Sequence, residues 1–87
     1  MPYITCRPDG GYAPAEGVSP ETVLKKLYQA EQVVASIRAD QDRAEARLAE
    51  LRGLGKQRSA QFQRAMAEKL LCQNLLSRFA LYGFWEE

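Results

Sequence analysis

The chain predicts an all-α fold: an antiparallel two-helix hairpin of coiled-coil type with an irregular N-terminal arm, completing a bundle by self-association or by binding a partner. Three observations carry that expectation. Prolines and glycines crowd into residues 1–19. Two long stretches then follow with apolar residues at helical spacing and no interior proline. Between them lies Gly53-Leu54-Gly55, whose two glycines weaken any helix running through by roughly 1 kcal/mol each relative to alanine. A glycine just past a helix end can take the left-handed conformation that closes it, so the tip of the hairpin is placed at residues 53–55.

Residues 1–19 form the arm. Pro2, Pro8 and Pro14, with Gly10, Gly11 and Gly17, prevent a helix of useful length. Tyr3-Ile4-Thr5-Cys6 has strand-like residue types and Pro8-Asp9-Gly10-Gly11 is turn chemistry, so a short extended piece or small hairpin fits here. Tyr3, Ile4, Tyr12 and Val18 favour an arm that docks on the helices, since disordered tails usually lack such residues.

The first helix is expected over residues 20–52. Ser19 is a good N-cap, Pro20 suits the first helical position, and Glu21 complements the positive end of the helix dipole. Val23, Leu27, Ala30, Val34, Ile37, Gln41, Ala44, Leu48 and Leu51 recur at alternating steps of four and three, a narrow seam of coiled-coil type. Gln41 is the one polar seam residue, read either as a wet layer or as a register-fixing contact.

The second helix is expected over residues 56–82. Its apolar residues fall on two lines. Phe62, Met66, Leu70 and Leu76 lie near one, and Leu71, Leu75, Phe79 and Tyr82 along the other. Such an arc is wider than one neighbouring helix covers. Gly83 then supplies a C-cap that folds Phe84 back on Phe79, ahead of Trp85 and the acidic Glu86-Glu87. The helix-one heptad projects through Gly55 and Arg58 to Phe62, but it then meets Lys69 and Gln73. The competing model, one unbroken coiled coil, therefore loses its seam.

Antiparallel pairing brings Leu24, Leu27 and Tyr28 to the end that carries Phe79, Tyr82, Phe84 and Trp85. This aromatic pole is the expected stability centre. The opposite end is basic: residues 43–64 carry six Lys or Arg against two acids, while the whole chain is only +1.

Composition excludes several classes of function. No histidine is present, which removes the usual general base near neutral pH and the commonest metal ligand. Cys6 and Cys72 are the only cysteines, too few for a structural zinc site. They are read as free thiols, with Cys72 a small core residue. No serine has a histidine to activate it, and Gly53-Leu54-Gly55-Lys56 lacks the spacing and preceding strand of a phosphate loop. The expectation is no enzyme, no cofactor and no metal. No apolar run approaches the ~20 residues of a membrane span, and no charged start leads into an apolar run. A cytoplasmic location follows as an expectation.

What remains is a small protein–protein interaction module, an adaptor, assembly factor or inhibitor, of a kind that suits a phage or mobile element. Its expected interface is Leu70, Leu71, Leu75, Leu76, Phe79, Tyr82, Phe84 and Trp85, used by a second copy in a homodimer, by another protein, or by both. The alternative is nucleic-acid binding by the basic tip, with Arg52, Lys56, Arg58 and Arg64 as candidate phosphate contacts.

Overall fold

The computed structural model describes residues 3–84. It is the expected all-α hairpin preceded by a short arm of strands. The elements are β1 (Thr5–Cys6), β2 (Ala13–Pro14), α1 (Pro20–Gly53) and α2 (Ala60–Leu81). The chain divides into two compact units, Met1–Val33 and Val34–Glu87, and α1 runs from one into the other.

In the first unit, β1 and β2 pair antiparallel, Thr5 opposite Pro14 and Cys6 opposite Ala13. The ladder continues where the Ala15 N–H donates to the Ile4 carbonyl at 2.8 Å. The connecting turn is closed by the Gly11 N–H on the Pro8 carbonyl at 2.9 Å. Asp9 and Gly10 between them have φ of 50° and 79°, the pair of left-handed residues that a tight hairpin turn requires and that Asp-Gly readily adopts. Arg7 braces the turn, donating from Nη2 to the Gly10 carbonyl at 3.0 Å with its guanidinium 4.6 Å from the Tyr12 ring centroid.

Tyr12 therefore covers an arginine, and both Tyr3 and Tyr12 are exposed. For Tyr12 this corrects the expectation that the arm's tyrosines cover the helices, whereas Tyr3, though exposed, lines an open cleft with Lys26, Gln29, Ala30 and Val33 of α1. Ile4 does part of that work instead. It is half-buried, and with Thr5 it forms one wall of an open apolar cleft whose other wall is Val23, Lys26, Leu27 and Ala30. α1 begins as the sequence predicts, with the Thr22 N–H donating to Ser19 Oγ at 3.1 Å.

In the second unit, the covered line of α1 is the predicted seam. Val34, Ala44, Leu48 and Leu51 are buried, and Ile37 and Gln41 are half-buried. α1 ends where the Lys56 N–H donates to the Leu51 carbonyl at 2.8 Å and the Gly55 N–H to the Arg52 carbonyl at 3.0 Å. Gly55 has φ 72°, completing the glycine-closed ending of a Schellman motif. Residues 56–59 are consumed by this turn, so α2 starts at Ala60 and not at 56. Its cap is Ser59, whose Oγ accepts from the Phe62 N–H at 3.1 Å and donates to the Lys56 carbonyl at 2.8 Å.

Contacts between the helices place the later part of α1 against the earlier part of α2, as antiparallel pairing requires. The Arg52 guanidinium lies 5.4 Å from the Phe62 ring centroid, Arg47 Nη2 donates to Gln61 Oε1 at 3.2 Å, and Lys69 Nζ is 4.0 Å from Glu45 Oε1. Continuing this antiparallel register sets Leu51, Leu48 and Ala44 against Phe62, Ala65 and Lys69, and Gln41, Ile37 and Val34 against Cys72, Leu76 and Phe79.

That inner face of α2 differs from both apolar lines expected from the sequence. Phe62, Ala65, Lys69, Cys72, Leu76 and Phe79 step by three and four, and each is buried or half-buried. The small Ala65 and Cys72 allow close approach to α1. Ala44 leaves room for the Lys69 stem to cross toward Glu45, an amphipathic side chain covering apolar surface with its charge outward.

Burial among the described residues does not peak at the aromatic residues. Among the described residues, the large side chains that are fully buried are Leu48 and Leu51, near the turn; Val34, Ala44, Ala65 and Cys72 are the other buried members of the core. Leu76 and Phe79 remain half-buried, because a pair of helices screens only one side of a large side chain.

Candidate interaction surface

The surface of interest is the C-terminal half of α2, shaped first by how that helix ends. The Gly83 N–H donates to the Ala80 carbonyl at 3.0 Å and the Phe84 N–H to the Phe79 carbonyl at 3.0 Å, with Gly83 at φ 74°. This is a second Schellman ending. It returns Phe84 onto Phe79, ring centroids 5.2 Å apart and planes at 69°, as the sequence predicts. Arg78, Phe79, Tyr82 and Phe84 line a shallow apolar cleft there.

The expected interface residues separate into three groups. Leu76 and Phe79 belong to the inner seam. Leu71, Leu75 and Tyr82 lie along one outward line, with exposures of 59%, 42% and 83%. Leu70 is exposed on a different side of α2, in line with Leu81, which the expected interface left out and which is 79% exposed. Leu81 follows the line of Leu70 by three turns, so helical spacing alone contained that signal. Trp85 lies outside the described residues. In the first unit, Leu24, Leu27, Tyr28 and Val33 are also exposed.

Of the candidate nucleic-acid contacts, Arg52 is stacked over Phe62, a contact that holds its guanidinium against the hairpin. Lys56 donates its backbone N–H to the cap of α1, and both Lys56 and Arg58 are exposed. Arg64 is one turn into α2, sharing a polar cleft with Arg47, Gln61, Ala65 and Glu68. Leu54, between Arg52 and Lys56 in the chain, is exposed.

Among the described residues, no three His, Cys, Asp or Glu side chains gather as metal ligands. Both thiols are unbridged. Burial pushes the Cys72 thiol above its ordinary pKa, Asp40 and Glu68 add to that, and Arg43 opposes it. A thiolate is thus disfavoured in place, and the residue behaves as a small apolar filler. Cys6 is exposed, its Sγ 3.4 Å from the Pro14 carbonyl. No helix among the described residues is long and apolar enough to cross a membrane.

Comparison with protein-family models, with curated proteins and with solved structures finds no match.

Proposed function

We propose that the chain is a non-catalytic protein–protein interaction module whose contact surface is the outward face of the C-terminal half of α2. One observation carries this reading: the leucines of α2 lie mainly on the side that α1 leaves uncovered. Leu70, Leu71, Leu75 and Leu81 are exposed, while Ala65 and Cys72 are buried. Large apolar residues left exposed together mark an interaction site, and Tyr82 adds the kind of aromatic side chain that interfaces favour. The contact that holds Arg52 against Phe62 leaves the nucleic-acid reading second.

The test is a photo-crosslinking amino acid placed at Asn74, in the middle of the exposed face, and separately at Arg58 on the tip, in cells that make the protein. A covalent protein adduct from position 74, lost on Leu75→Asp, is the expected result. Adducts from position 58 alone, to protein or to nucleic acid, overturn the reading.

A further inference from the structure

α2 carries a second seam. Arg64, Glu68, Leu71, Leu75, Arg78 and Tyr82 recur at alternating steps of four and three, and all six are exposed. Each of the first five stands one residue before a member of the inner seam, Ala65, Lys69, Cys72, Leu76 and Phe79. One residue is a turn of about 100°, so the two seams lie about a right angle apart. That is the geometry of a helix with two neighbours in a four-helix bundle. α1 covers the first seam.

The order of residues along the uncovered seam says what fits it. Turned end for end about the midpoint of Leu71 and Leu75, the seam is complementary to itself. Leu71 of one copy meets Leu75 of the other. Glu68 meets Arg78, and Arg64 meets Tyr82, each twice by symmetry. Reversal leaves the order of three- and four-residue steps unchanged, so each seam residue of one helix falls level with a seam residue of the other. Each layer is compatible: an apolar centre, flanking opposite charges, and outer arginine–tyrosine layers suited to cation–π contact. A parallel pairing instead sets Arg64 on Arg64, Glu68 on Glu68 and Arg78 on Arg78, three like-charge layers that work against it. Among the described residues, none of Arg64, Glu68 and Arg78 is already held in an ion pair.

We infer that the occupant of this face is a second copy of the chain, docked antiparallel, α2 on α2, through Arg64, Glu68, Leu71, Leu75, Arg78 and Tyr82. Two hairpins so joined form a four-helix bundle with a single two-fold axis between Leu71 and Leu75, the isologous contact that dimers use most. This inference rests on the surface proposed above and adds its partner and register.

The test uses sedimentation equilibrium on the full chain, with circular dichroism to show that each variant keeps its helices. The wild type is expected to dimerise. Glu68→Arg alone and Arg78→Glu alone each place like charges in two layers and weaken the dimer roughly tenfold or more. The double variant Glu68→Arg/Arg78→Glu restores the wild-type constant. Direction is read by mild oxidation of Leu71→Cys and Leu75→Cys chains, both carrying Cys6→Ser. A mixture of the two forms covalent dimers more readily than either alone. A wild-type monomer at every concentration overturns the self-pairing but leaves the proposed surface to the crosslinking result. Self-crosslinking of each cysteine variant, with no gain on mixing, overturns the antiparallel register. A dimer indifferent to both charge reversals and to Leu75→Asp overturns the inference and the proposed surface together.

Discussion

Phe84 folds back over Phe79, edge to face, with ring centroids 5.2 Å apart. The contact is made by one backbone residue, Gly83, whose φ of 74° lets the chain reverse while its N–H and that of Phe84 satisfy the last carbonyls of α2. Placing a side chain in that left-handed conformation costs roughly 1–2 kcal/mol. Gly83→Ala is therefore expected to lower the melting temperature by several degrees, at ~4–8 °C per kcal/mol for a domain of this size. Thermal denaturation followed by circular dichroism checks it. An unchanged melt shows that the Phe79–Phe84 lock contributes nothing to the fold.

The hairpin is held together near its turn. Leu48 and Leu51 are each 1% exposed, and truncating a buried leucine to alanine costs about 2–5 kcal/mol through lost transfer energy and the cavity left behind. Leu48→Ala is expected to fall in that range. Leu71→Ala, at an exposed site, is expected to change the stability of the single chain by well under 1 kcal/mol. Urea unfolding at concentrations below any self-association compares the two. Equal losses place the core elsewhere.

Lys69 occupies an inner-seam position with its Nζ 4.0 Å from Glu45 Oε1. An ion pair this exposed is worth about 0–1 kcal/mol. Leucine at the same position puts apolar surface beside Ala44 in its place. Lys69→Leu is expected to stabilise the chain by about 1 kcal/mol, read as a higher urea midpoint at unchanged slope. A lower midpoint means that the Glu45 contact, or the room that Ala44 leaves for a long stem, outweighs the burial.

The two thiols differ in the folded state. Cys6 is exposed and Cys72 is buried with its pKa raised, first by desolvation and then by Asp40 and Glu68. A thiol reagent at mildly alkaline pH is expected to label Cys6 at once and Cys72 only as the hairpin opens. The raised pKa also sets a sign. The folded state holds the Cys72 proton to higher pH than the unfolded chain does, so this contribution to stability is complete below the ordinary thiol range. It is lost as pH rises through the folded value. Cys72→Ala is expected to flatten that alkaline fall in a urea titration. An identical pH profile in the variant assigns the fall to other groups.

What this sequence determines by itself is local. Ser19 before Pro20 starts α1, Gly55 stops it, and Gly83 with Phe84 ends α2, because capping depends on side chains and φ values within a few residues of the terminus. The single heptad line of α1 also names its own covered face, since no other line on that helix is apolar. α2 is different. Its leucines form two apolar lines, and hydropathy ranks both above the line of Ala65, Lys69 and Cys72 that α1 covers. The choice depends on how closely two backbones approach, which side chain fills the space beside Ala44, and how Lys69 reaches Glu45. Only the paired helices hold that information. The same pairing moved the core from the aromatic residues to Leu48 and Leu51, because burial is set by how many sides of a side chain are screened, and residue type alone does not carry that number.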